Sequence, residues 1–282
     1  MKKELIIPIL VLVALVGWFA FRAPSGSGAP EAVTASEHQM PSSITLPIRW
    51  ADLGQRMVTL GVIDMEKIEA LYERRGGLSE EERALLEQPN EKELVMTEEN
   101  SNYLLNLLWA FGLANQSSVL ENGPMRSDPQ RTGNMASTGG WILSVGEPMN
   151  HYSAHAMVEL NDDQQALVER VAKGIFRPCC GNSTYFPDCN HGMAMLGLLQ
   201  LMAKEGVSEK EMYEVALGVN TLWFGGTYQA IAEYLALQGR SWESTDASEI
   251  LSAQYSSGQG YQRVVQALEA KGGYKNGGGC GV

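Results

Sequence analysis

Cysteine is absent from the first 178 residues of this 282-residue chain, and histidine occurs only four times in all. The missing combinations exclude several chemistries. No Cys-x-x-Cys occurs, so the thioredoxin-type redox pair and covalent haem attachment both lack their motif. His-Glu-x-x-His is missing, which removes the common metalloprotease helix. No serine stands in a nucleophile elbow, no Gly-rich phosphate loop is present, and no pair of carboxylates stands out for sugar hydrolysis. Basic residues are also scarce, 21 Lys and Arg against 33 Asp and Glu, for a formal charge of −12. That balance argues against nucleic acid and against anionic lipid headgroups as partners.

Charge is wholly lacking from Leu5 to Phe21, an apolar run preceded by Lys2-Lys3 and followed by Arg22-Ala-Pro. Seventeen helical residues would reach about 25 Å, slightly short of a ~30 Å hydrocarbon core. The run ends in bulky Trp18, Phe19 and Phe21, with no small-x-small cleavage site and no lipidated cysteine after it. Residues 1–22 are therefore expected to be an uncleaved signal anchor, a single-pass transmembrane segment, with a cleaved signal peptide and a secreted domain as the rival. The lysines predict an inside N-terminus and an extracytoplasmic domain at the cell membrane. Without residues 1–22 the formal charge is −14, because Lys2, Lys3 and Arg22 outnumber Glu4 there. Residues 23–45 are small, polar and proline-bearing, and predict a flexible linker.

The rest reads as mainly α, a single helical domain over 46–271 with a long irregular Gly/Pro-rich insertion at 114–160. Helices are expected from Trp50 to Leu60, after Asp64, after the capping box Ser79-x-x-Glu82, and from Tyr103 to Leu113. Within the insertion, Asn122-Gly-Pro, Ser127-Asp-Pro, Thr132-Gly-Asn and Thr138-Gly-Gly are turn chemistry, and Trp141 to Val145 suits a short extended segment. Helices return with Asn161 as cap of 162–176, then 193–204, then the Ser208 start of a helix to Trp223. Segments at 228–237, 246–255 and 262–270 close the domain. Residues 272–282 form a Gly-rich tail that carries Cys280.

Against this sparse background, three of the four cysteines and one histidine crowd into Cys179-Cys180 and Cys189-Asn190-His191. His151 and His155 lie upstream in His-Tyr-Ser-Ala-His, and their spacing puts both on one face of a helix or a strand. Thiolate and imidazole are ligands for borderline and soft ions, so Cys179, Cys180, Cys189, His191, His151 and His155 are the candidate metal ligands for zinc or copper. Met193 and Cys280 are additional candidates, and the Met193 and Met195 thioethers would favour Cu(I). The cap of the following helix decides whether Cys189 and His191 can converge. With Asp188 as cap the two would be helical and point about 200° apart; with Asn190 as cap, Cys189 lies outside the helix and both can face one ion. The competing reading is structural: an even number of extracytoplasmic cysteines can form disulfides, Cys189 pairing with Cys179 or Cys180.

The run Arg177-Pro-Cys-Cys-Gly-Asn-Ser-Thr-Tyr-Phe-Pro-Asp-Cys-Asn-His-Gly-Met-Ala194, with Gly139-Gly-Trp and His151-Tyr-Ser-Ala-His upstream, resembles an uncharacterised family of membrane-anchored bacterial proteins. The resemblance covers most of the chain after the anchor. It implies a bacterial, extracytoplasmic setting and no activity. The residues then support three functions in order: a membrane-tethered metal-binding protein, a disulfide-stabilised surface interaction domain with a protein partner, and a metal- or thiol-dependent enzyme with no nameable substrate.

Overall fold

The alternation Ile44, Leu46, Ile48, Trp50 places every second side chain toward the interior, and this segment is a strand, β1 (Ser43–Ala51). Residues 43–45 of the expected linker therefore belong to the fold. The first helix, α1 (Leu53–Thr59), begins only after Ala51, where the chain turns at a positive φ of 46°. In the computed structural model, which describes residues 39–272, β1 pairs antiparallel with β2 (Asn90–Thr97). The register slips between Leu46 and Arg49, around Pro47, whose missing N–H cannot join a ladder. The anchor expected at 1–22, most of the linker, and the tail with Cys280 lie outside the described residues. Among the described residues no helix is long and apolar enough to cross a membrane.

The remaining elements are helical, twelve α-helices among the described residues. α2 (Met65–Glu73) is capped by Asp64, which accepts from the Glu66 and Lys67 amides. α3 (Glu80–Glu87) carries the expected Ser79–Glu82 capping box. α4 (Ser101–Ala114) is apolar around most of its circumference and is correspondingly buried. After the short α5 (Ser118–Asn122) and α6 (Pro129–Gly133), α7 (Asp162–Gly174) starts at an Asn161–Gln164 capping box. It stops two residues before the expected Phe176. Then come α8 (Asn190–Lys204), α9 (Glu209–Trp223), α10 (Gly225–Leu237), α11 (Ala247–Ile250) and α12 (Gly258–Ala270). α11 is a single turn, far shorter than the helix expected over 246–255.

α4 and α8 form the centre. A Cβ at Gly112 would fall 2.2 Å from the Met193 carbonyl oxygen, and one at Gly197 2.4 Å from the Leu108 carbonyl oxygen. The two helices therefore touch backbone to backbone. Gly112→Ala is expected to cost about 2–3 kcal/mol, since a packed backbone cannot yield to an added methyl. Gly226→Ala, where a Cβ would meet nothing within 4 Å, is expected to be neutral or stabilising by up to about 1 kcal/mol. Urea denaturation of both variants checks the pair; equal stabilities would contradict the close crossing.

The 114–160 insertion packs as part of the core. Trp141 is 1% exposed, donates Nε1–H to the Val62 carbonyl (2.8 Å) and meets Trp109 edge to face at 4.8 Å. The segment 141–145 forms turns and bends here, not the short extended segment that the sequence suggested. Asn115 at the end of α4 stitches the loop closed: it accepts from the Val158 amide and donates to the Val158 carbonyl and to Gln200 of α8.

Candidate functional site

Cys189 is the N-cap of α8, with extended backbone (φ −124°, ψ 165°). The cap is thus neither Asp188 nor Asn190, and Cys189 stands outside the helix, the arrangement that allows its sulfur to meet other groups. Upstream, Arg177 to Cys180 make a tight turn, closed by a 3.4 Å bond from the Cys180 amide to the Arg177 carbonyl. Three elements hold this turn. The Thr184 and Tyr185 amides bond the Ile175 and Ala172 carbonyls at the end of α7, the Phe176 amide bonds the Leu251 carbonyl, and the Gly258 amide at the start of α12 bonds the Cys180 carbonyl at 2.7 Å. Ser137 of the insertion donates its amide to the Asp188 carbonyl.

These constraints bring the sulfurs of Cys179, Cys180 and Cys189 within 4.8 Å of one another, the only such group of three or more potential metal ligands among the described residues. Cys179 Sγ and Cys189 Sγ are 3.5 Å apart, and all three cysteines are free. Two thiolates on a tetrahedral ion with ~2.3 Å bonds stand roughly 3.8 Å apart. The observed spacing fits that requirement. Cys179 is exposed and the other two are half-buried, so the group is reachable from solvent.

The group the sequence did not disclose is Arg177. Its guanidinium is 1% exposed, and every arm is used. Nε donates to Cys189 Sγ at 2.9 Å, Nη1 to the Asn182 carbonyl at 3.1 Å, and Nη2 to Asp188 Oδ1 at 2.8 Å and to the Phe186 carbonyl at 3.3 Å. Gly192 makes room for it: a Cβ there would fall 2.4 Å from Cζ. The only signal in the sequence was a charged residue directly before Pro-Cys-Cys, with an apolar stretch before it.

The sulfurs differ in character. The Cys179 and Cys180 thiols hydrogen-bond to Cys189 and hold it far below the ordinary thiol range; burial opposes them, and His191 and Arg177 assist. The exposed N–H groups of α8 act in the same direction. Conversely, Cys179 is held well above its usual range by its bonds to Cys180 and Cys189 and by burial. Cys180 is pushed up to about 11; its bond to Cys179 opposes the shift, and Cys189 and burial prevail. Cys189 is thus the sulfur of the three most favoured as a thiolate, with the buried Arg177 guanidinium bonded to it. Burial would lower the Arg177 pKa, but the three sulfurs more than offset it and raise it.

The expected six-ligand set contracts accordingly. His191 lies beside Cys189, but its imidazole is outside the mutual group. Its Nδ1 is 2.9 Å from Asn190 Oδ1, and its ring packs on Phe224 (4.5 Å) and Trp223 (5.3 Å). His151 and His155 do not join the sulfurs in it either. His151 Nδ1 and His155 Nε2 are 3.0 Å apart, and His151 Nε2 is 3.3 Å from the Val145 carbonyl. The reason is local: the Ser153 and His155 amides bond the Leu113 and Ala114 carbonyls, which pins the pair to the end of α4. Met193 and Met195 are buried members of the hydrophobic core.

Burial and the neighbouring His151 hold His155 below the ordinary imidazole range. The unfolded chain takes up this proton near pH 6.5 while the folded chain resists it, so the stability contributed is complete above about pH 6.5 and is lost as the pH falls toward the folded pKa. Melting temperature is therefore expected to drop between about pH 7 and pH 5 more steeply in the wild type than in His155→Gln. Parallel curves for the two proteins would refute this.

Comparison of the chain with protein-family models, with curated proteins and with solved structures finds no match.

Proposed function

We propose that this chain binds a thiophilic transition-metal ion, zinc or copper, through Cys179, Cys180 and Cys189, and that it does so as a bacterial, membrane-tethered protein whose domain lies outside the cytoplasm. The observation that carries the reading is the convergence of three free sulfurs within 4.8 Å, one of them at a helix N-cap and bonded to a buried guanidinium. Lys2-Lys3 before the apolar run, and the resemblance to membrane-anchored bacterial proteins, support the setting. The role is metal handling, or a structural ion that clamps the 177–189 loop onto α8.

One observation favours a second reading. Cys179 and Cys189, ten residues apart, are close enough for oxidation to join them as a disulfide that would stabilise the loop by about 2–3 kcal/mol, giving a stapled interaction domain. Elemental analysis and thiol counting on the full chain, purified anaerobically in mild detergent, separate the two. About one metal ion per chain with the thiols reduced is the expected result. A metal-free chain whose Cys179 and Cys189 are found oxidised would overturn the metal reading in favour of the staple.

A further inference from the structure

A closed zinc site requires a fourth protein ligand beside the three sulfurs, and among the described residues no imidazole or carboxylate joins them in the group whose ligand atoms lie within 4.8 Å of one another. Asp188 Oδ1 accepts from Arg177 Nη2 at 2.8 Å and from the Cys180 thiol at 3.8 Å, and Oδ2 accepts from Asn182 Nδ2 at 2.7 Å. His191 bonds Asn190 through Nδ1 and packs on Trp223 and Phe224, and it is not a member of the mutual group. His151 and His155 bond one another. The inner side of Cys189 is filled by the Arg177 guanidinium, which lies so close over Gly192 that no side chain could project there. The donor set is thus sulfur alone. Thiolates select soft ions, and of the two ions considered Cu(I) is the soft one. The fixed guanidinium charge also repels a monovalent ion half as strongly as a divalent one at the same distance.

We infer that Cys179, Cys180 and Cys189 form an all-sulfur, three-coordinate site for Cu(I), an inference that rests on the metal-binding reading above. Three sulfur–copper bonds form, each binding thiol gives its proton to solvent, and the oxidation state of the ion does not change. The exposed Cys179 is the point of entry. Asn190, with Trp223 and Phe224, keeps His191 out of the coordination shell.

The test uses the full chain, reduced and anaerobic in detergent. Cu(I) is supplied as its acetonitrile complex in competition with bicinchoninate. X-ray absorption is expected to show three sulfur neighbours and no nitrogen. Cu(I) affinity is expected to stay within about threefold of wild type in His191→Gln and to fall by about 100-fold or more in Cys179→Ser, a loss near 2.7 kcal/mol. A nitrogen neighbour, or loss of Cu(I) binding in His191→Gln, overturns the three-coordinate site and leaves the metal reading standing. Failure of the reduced chain, folded by circular dichroism, to bind either Cu(I) or zinc overturns both.

Discussion

Cys189→Ser is expected to lower metal affinity by several orders of magnitude while leaving the fold intact. Cys189 is the sulfur that both other cysteines address, and it alone receives the Arg177 Nε–H and stands at the N-cap position of α8. A hydroxyl at this N-cap is a good acceptor for helix amides and for the guanidinium, so apo stability is expected to change by only about 1 kcal/mol. A serine hydroxyl is a hard donor with a proton that neutral pH does not remove, so it cannot replace a thiolate on a soft ion. Metal content per folded chain, measured with the melting curve of the apo form, reads the two effects separately. Wild-type metal content in the variant would place the ion elsewhere and sink the assignment. A metal-free wild type with one additional free thiol in the variant would instead identify Cys189 as a disulfide partner.

Arg177→Met is expected to be the most damaging single change in the cysteine segment, costing about 3–5 kcal/mol. The substitution keeps most of the volume and removes the charge. It removes every hydrogen bond that the buried guanidinium makes, to Asp188 Oδ1, two backbone carbonyls and the Cys189 sulfur, on residues that are themselves half-buried. Arg177→Lys should recover only part of the loss, because an ammonium cannot supply the planar fork that meets four acceptors. The same variants should raise the Cys189 pKa, seen as slower alkylation of that thiol at neutral pH. Urea midpoints of Arg177→Met equal to wild type would show that the guanidinium is not the keystone of the loop.

Much of the fold was legible because its signals are local. Asp64, Ser79 and Asn161 cap the helices they were expected to cap, since a side-chain oxygen three residues before an amide bonds it wherever the helix lies. The strand from Ser43 was also legible in its period-two pattern, but Trp50, Leu53 and Met57 at helical spacing masked it. β2 was missed because its charged Asn90–Glu93 half resembles a surface loop and only Leu94 and Met96 are buried. A strand of this kind exists by virtue of its partner, and partnership is not a local property.

Residue order alone shows that the chemistry-bearing residues crowd between His151 and Met195, that the fold is mainly helical, and that an apolar run precedes it. Which of those residues meet depends on contacts between segments distant in the chain. The His151–His155 pair is tied to the end of α4 by backbone hydrogen bonds, whereas the cysteines are gathered by the ends of α7, α8 and α12. The centre of the group is an arginine that no ligand motif contains. Burying a guanidinium is tolerable only where acceptors surround it on every side, and those acceptors, Asn182, Phe186, Asp188 and Cys189, are supplied by a loop that backbone hydrogen bonds tie to the end of α7, to Leu251 and to the start of α12.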